Sequence, residues 1–360
     1  MSRASALLQR GVCEEATLLP NVRHARGSEA HNPAGLQRQQ HEGSGMDQEP
    51  DGKTPGLSAE EEREIDEKQP PRAAVLHETI RIQGDHELER SAAALWWSAL
   101  AAGLTMGLSL MAMGLFKSRL AGIEGSHVIT SLGYSAGFLA VILARQQLFT
   151  ENTITAVLPV MTKFTTTNIY RLLRLWTVVL VGNLCGTLLV AYVMLNLPIF
   201  DADTDKAFLE IGSKVMENDL GQMFSKGIIS GWMIATMVWM IASMESAKVV
   251  VIVMITYLMA LGDFTHIVVG SAEVSYLVFA GQLSWSEFWL HFAAPTLAGN
   301  IIGGSFIFAV ISHAQIRSEH DNSTRMERER KEKALSKRRE DVKKAVADAD
   351  SAAREQSRAD

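Results

Sequence analysis

Gly182-Asn183-Leu184-Cys185-Gly186 has a near copy later in the chain, Gly299-Asn300-Ile301-Ile302-Gly303, and each copy lies inside a long apolar stretch. Ahead of each copy stands an apolar stretch that is interrupted. Residues 128–144 are apolar until Arg145 and Glu151; residues 249–262 are apolar until Asp263, His266 and Glu273. Both resume as apolar sequence, to Met161 and to about Gly281, and Thr150 precedes Asn183 by nearly the interval that separates His266 from Asn300.

A hydrocarbon core of roughly 30 Å needs about 20 apolar residues to cross it. Residues 92–116, 175–200, 227–244 and 288–316 meet that length, the last with His291 and His313 near its ends. With the two interrupted segments this gives six spans, read as two copies of a three-span unit. An odd number of spans per copy sets the copies in opposite orientations, with the broken second and fifth helices meeting at the midplane. Irregular backbone at that depth survives only where protein or a water-filled cavity satisfies it. The expected fold is therefore all-α transmembrane, an inverted 3+3 repeat. Gly182, Asn183, Gly186, Gly299, Asn300 and Gly303 take a structural role here, as small residues that let helices approach closely.

The average of 47% hydrophobic and 21% charged residues mixes two phases, because most charges lie in residues 1–91 and 317–360. The net charge of -6 therefore says little about partners. Cys13 lies in a polar tail and Cys185 in an apolar span, which supports neither a disulfide nor a cysteine metal site. Residues 1–72 read as a disordered tail, with no periodicity over residues 1–57, and the start does not resemble a secretory signal. One hypothesis is that Met46 is the true initiator. Ser58 and Glu61 have the spacing of a capping box, residues 73–91 form an amphipathic interfacial helix, residues 92–316 the channel domain, and residues 317–360 a charged helical tail. Arg81, Arg90, Lys163, Arg171, Arg174, Lys248 and Arg317 fall on one side of the six spans, facing an acidic Asp201, Asp203 and Asp205 stretch on the other, so both termini are expected in the cytoplasm.

In chain order, Gly133-Tyr134-Ser135-Ala136-Gly137-Phe138, Leu148-Phe149-Thr150-Glu151-Asn152, the first GNxxG, Phe264-Thr265-His266 and the second GNxxG resemble the formate/nitrite transporter family, in its YfdC-like bacterial inner-membrane subgroup, over about residues 90–316. The resemblance implies an aquaporin-like six-helix protomer with its own pore, assembled as a homopentamer in the bacterial inner membrane. It places an Ω-shaped break of the second helix at Leu148-Phe149-Thr150, with Thr150 as the loop threonine, and a break of the fifth over residues 262–270, with His266 as the central histidine. It puts Tyr134 and Met259 near an outer constriction and Phe138, Leu148 and Ile234 near an inner one. Lys214 is the counterpart of a vestibule lysine, with Lys226 competing for that place. The chain departs from the family at Arg145-Gln146-Gln147, at Glu151, at Thr265 where a glutamate is usual, and at Gly270 where an asparagine is usual. Arg145, Glu151, Asp263 and Glu273 are thus expected either to meet substrate or to form midplane ion pairs, such as Arg145 with Glu151 or Glu273, that hold the broken ends.

An ionisable side chain at bilayer depth costs a few kcal/mol or more and usually faces a cavity or a partner, so His266 reads as functional. An anion crossing apolar constrictions pays a large desolvation cost that protonation to a neutral weak acid removes. The expected function is a channel or transporter for small monovalent anions of weak acids: a basic vestibule attracts the anion, His266 protonates or hydrogen-bonds it, and it passes with a proton or as an ion. The rival readings are a neutral small-solute pore, though the paired Asn-Pro-Ala of aquaporins is absent, and a non-transporting scaffold or sensor working through the tails. Without a nucleophile and base pair, a metal-ligand cluster or a nucleotide loop, the chain reads as no enzyme, with no cofactor, no metal and no nucleic-acid partner; its partners are the lipid bilayer and a small anion or weak acid.

Overall fold

The computed structural model describes Ser58, Glu60, Glu61, residues 73–244 and residues 246–359. The tail expected over residues 1–57 and the Met46 start lie outside the described residues. Ser58 and Glu61 do form the expected reciprocal cap: the Glu61 carboxylate accepts from the Ser58 N–H and hydroxyl, both at 2.8 Å, and the Glu61 N–H donates to Ser58 Oγ at 3.3 Å.

From Ala73 onward the described chain is helical. Helix α1 (Ala73–Glu89) buries Leu76, His77, Ile80, Gly84 and Leu88, one face at near-fourfold spacing. Then come α2 (Ala92–Arg119), α3 (Ser126–Gly133) and α4 (Ser135–Leu143), the last two a single apolar rod jointed at Tyr134. Short helices α5 (Phe149–Thr155) and α6 (Val157–Thr162) precede α7 (Thr166–Asn196). After α8 (Ala202–Met216) and α9 (Leu220–Ser243) follow α10 (Lys248–Leu261) and α11 (Ile267–Phe279). The last rod runs from α12 (Trp285–Glu287) through α13 (Ala294–Ile301) into α14 (Val310–Ala359), with wide π-turns at Phe288–Ala293 and Ile302–Ala309. The charged tail thus grows directly out of an apolar helix.

Among the described residues five helices are long and apolar enough to cross a membrane: Ala92–Arg119, Ser126–Leu143, Thr166–Asn196, Leu220–Ser243 and Trp285–Ser318. The shorter α10 and α11 flank an interruption. Helix α8 replaces the acidic loop that the sequence suggested. Asp201 caps it by accepting from Thr204 N–H at 2.9 Å, and Asp203 and Asp205 sit in its first turn, where the helix dipole favours carboxylates. Its apolar side buries Ala207, Phe208 and Gly212.

Glycines set how closely the rods pack. A Cβ on Gly103 of α2 would stand 2.2 Å from the Asn183 carbonyl oxygen of α7, and one on Gly231 of α9 would stand 2.3 Å from that of Asn300. A Cβ on Gly303 would meet the Ile228 carbonyl at 2.0 Å. No side chain fits in such gaps, so the backbones touch, as small residues permit inside membranes. Helix α11 lies innermost, with every residue from Ile267 to Val278 buried.

Helix α1 docks on α14 through His77, whose Nε2 lies 3.3 Å from Nδ1 of His313, with the Trp239 ring alongside at 6.4 Å. Burial, reinforced by the facing His313, holds His77 below the usual histidine range. Because its docked pKa is lowered, the undocked state binds more protons, so docking is strongest above about pH 6.5 and is lost as pH falls below that value. Amide exchange across α1, corrected for intrinsic rates, is expected to be faster at about pH 5.5 than at about pH 7.5, and His77→Phe to remove the difference. Equal protection of the unsubstituted chain at both pH values would contradict this.

Candidate pore site

Both helix interruptions are built the same way. Helix α4 ends with Arg145 in the left-handed region (φ 52°) and α10 with Asp263 (φ 53°). The N–H groups of Arg145 and Gln146 turn back to the Ile142 and Val141 carbonyls at 3.1 and 3.0 Å; those of Asp263 and Phe264 turn back to Ala260 and Met259 at 3.2 and 3.0 Å. This is the Schellman ending, usually given to glycine, and for other residues the left-handed turn costs roughly 1–2 kcal/mol. The chain then runs extended to Leu148 and His266, the N-caps of α5 and α11.

The first N–H of each new helix is caught by an asparagine. Phe149 N–H donates to Asn183 Oδ1 at 2.8 Å, and Ile267 N–H to Asn300 Oδ1 at 2.9 Å. Asn183 Nδ2 donates to the Ala99 and Gln147 carbonyls at 2.8 and 2.9 Å. Asn300 Nδ2 donates to the Gly227 and Thr265 carbonyls at 2.9 and 3.2 Å and to Ser230 Oγ at 2.9 Å. Both asparagines are fully buried. Each unsatisfied backbone group in a bilayer costs several kcal/mol, so these two amides make the irregular backbone tolerable. The pattern matches Phe149 with Ile267, hence Leu148 with His266. Thr150 is therefore not the counterpart of His266 in the pattern, as the sequence spacing suggested, but its contact.

His266 Nδ1 accepts from Val269 N–H at 3.3 Å, capping α11. With Nδ1 an acceptor, the neutral ring carries its proton on Nε2, a tautomer assigned from these bonds, and Nε2 lies 2.8 Å from Thr150 Oγ1. Thr150 is fully buried, and its hydroxyl oxygen accepts from that Nε2–H. The Phe138 ring stands edge-on to His266 at 5.2 Å, and Tyr134 lies 5.4 Å from Phe138.

Cavities open at the two ends of these helices. A funnel of about 150 Å³ reaches His266, and Tyr134, Met259, Lys117, Glu210, Lys214, Asp263 and Glu273 line it. A cavity of about 580 Å³ opens beside Glu87, Arg145, Gln146, Glu151 and Lys248. Helix α10 gives Met259 to the first and Lys248 to the second, which places them at opposite ends of one rod. Phe138, Leu148, Phe149 and Ile234, all within 1% of full burial, belong to the core between them.

The charges differ from expectation. Arg145 and Glu273 line different cavities and cannot pair; Arg145 shares its cavity with Glu151, but among the described residues no ion pair joins them. Asp263 pairs instead with Lys214 at 2.8 Å, and Lys117 with Glu210 at 3.2 Å. The basic vestibule is thus neutralised by its own carboxylates. Lys214 reaches the funnel, whereas Lys226 does not line it. Among the described residues no His, Cys, Asp and Glu group could hold a metal. Sequence reasoning missed the amide clasps, and with them Gln147, which donates to Glu87 at 2.9 Å and accepts from Asn152 at 3.0 Å.

The sequence model described as formate/nitrite transporter matches residues 74–314, more than half of the chain. The chain belongs to the formate/nitrite transporter family. It is 55% identical over 292 residues to the inner membrane protein YfdC of Escherichia coli K12, covering 80% of this chain and 93% of that protein. It is 25% identical over 243 residues to the formate channel FocA of Haemophilus influenzae, covering 59% and 83%. A solved pentameric formate channel with formate bound has the same fold, with a TM-score of 0.56 at 22% identity over 63% of this chain and 97% of that one. Within this family member, the residues expected at the site do gather: Thr150, His266, Phe138 and Tyr134 lie in contact or ring to ring.

Asn300→Ala should leave the Ile267 N–H without its acceptor and lower stability by about 2–3 kcal/mol, the cost of a buried unsatisfied donor. Thermal unfolding in detergent reads this directly. Cys185→Ala, at an exposed position of the other GNxxG, should change little. An Asn300→Ala protein that melts with the unsubstituted one would refute the clasp.

Proposed function

We propose that this chain is a channel for small monovalent anions of weak acids, of the formate and nitrite kind, with Thr150 and His266 at the midpoint of the path. One observation carries the reading: a family member holds a buried histidine–threonine donor pair between two cavities at opposite ends of the same helices. The matched breaks and clasps support a six-span inverted 3+3 repeat. Likeness to a pentameric formate channel supports a homopentamer, and likeness to an inner membrane protein of E. coli supports a bacterial inner membrane. The distribution of Lys and Arg supports cytoplasmic termini.

In this reading an anion leaves water in a funnel and meets the Thr150 hydroxyl, which is itself oriented by His266 Nε2–H. Hydrogen bonds to a charged group are worth about 1.5–3 kcal/mol. His266 serves the path as a polarising donor. To give up a proton it would first have to take one at Nδ1, which is engaged in the α11 cap. A proton that travels with the anion therefore has to come from elsewhere on the path.

The test is uptake of formate, nitrite, acetate and chloride by proteoliposomes of the full chain. Formate and nitrite uptake should exceed chloride uptake, and His266→Ala should reduce it at least about tenfold, the rate equivalent of one such bond. Flux of neutral solutes only, or no flux from a well-folded oligomer, would defeat the proposal.

A further inference from the structure

Lys117 and Glu210 pair in the funnel, as do Lys214 and Asp263, and one charged side chain remains. Glu273 is 5% exposed, lines the funnel, and has no hydrogen bond or ion pair among the described residues. It sits on the same face of α11 as His266 and Gly270, at helical spacing, and the Phe292 ring packs on Gly270 beside it, where a Cβ would meet the ring at 2.7 Å. A carboxylate this deeply set, without a partner, is costly, and it has the wrong sign for a path that draws in anions. As a carboxylic acid it holds a proton on the funnel floor, two turns from His266.

We propose that Glu273 is the proton donor of the path. An anion reaching the funnel floor takes the carboxyl proton and continues past His266 as a neutral acid. In that step the O–H bond of Glu273 breaks, an O–H bond of the acid forms, and the negative charge passes from the anion to Glu273. Funnel water returns a proton to the carboxylate before the next ion arrives. Lysines, carboxylates and His266 facing this region are committed elsewhere. Lys117 of α2 and Lys214 of α8 hold Glu210 and Asp263, and His266 holds Val269 and Thr150. Tyr276, one turn further along α11, donates to Asp205 at 3.1 Å. Tyr134 stands at the joint of α3 and α4, and His127 lines the funnel on α3. The inference rests on the weak-acid reading and adds to it the source of the proton.

Formate uptake by full-chain proteoliposomes between about pH 5 and pH 8, with an internal pH dye, separates the outcomes. The unsubstituted protein should acidify the lumen as formate enters. Glu273→Gln, which keeps the shape, should lose at least about tenfold in uptake near pH 7 and regain most of it near pH 5, where solvent supplies the proton; Glu273→Asp should keep the unsubstituted profile. A Glu273→Gln protein with unsubstituted rate and pH profile overturns the proposal, as does one with faster uptake at every pH, which would make the carboxylate only a barrier to anions. Carbodiimide labelling of the unsubstituted protein gives a check that needs no variant. Modification of Glu273 that formate slows supports the role, and absence of modification at low pH overturns it. An unsubstituted protein that carries none of the weak acids overturns the reading beneath, whereas loss of function only in Glu273→Gln leaves that reading standing.

Discussion

Two buried amide side chains allow this chain to interrupt helices inside a membrane. A helix satisfies its own backbone, and stopping it in hydrocarbon strands N–H and C=O groups at several kcal/mol each. Asn183 and Asn300 supply one acceptor to the helix that begins and two donors to carbonyls around the break. Each is placed by the neighbouring glycines, because only bare backbone lets α2 approach α7, and α9 approach α13, closely enough for an amide to reach across. Closely packed rods, held breaks and an open end at each break are one arrangement.

The site follows from where the breaks leave their polar ends. His266 is an N-cap before it is anything else, and that duty fixes its tautomer and aims Nε2 at Thr150. The Phe138 ring closes on the imidazole and Tyr134 packs behind Phe138, so the polar pair is embedded in an apolar plug rather than in an open channel. The funnel beyond is nearly balanced in charge by its own salt bridges, which suits passage of a species that is neutral when it reaches the plug. At the other end Arg145 occupies the turn position that Asp263 occupies here, so the two turns carry opposite charges although their backbones match.

Much of this was legible from residue order. Uninterrupted apolar length located the long helices, and charges inside apolar stretches located both breaks within a few residues. The GNxxG copies announced close packing, but the asparagine's task depends on a partner more than thirty residues away that no local pattern reveals. Lys214 read as a vestibule attractant because α8 was not visible as a helix, and it is α8 that brings Glu210 and Lys214 to their partners. Arg145 and Asp263 read as members of ion pairs, while the backbone uses both as left-handed turn residues. Spacing alone made Thr150 and His266 equivalent landmarks, and only the hydrogen bonds distinguish equivalence from contact.

The most direct measurement is thiol accessibility from each membrane face. In a chain with Cys13 and Cys185 replaced, Ser131→Cys reports the funnel and Gln146→Cys the opposite cavity. A membrane-impermeant maleimide is expected to label each position from one face only, and the two from opposite faces, as the proposed inverted repeat requires. Labelling of both positions from the same face would contradict a path that runs through Thr150 and His266.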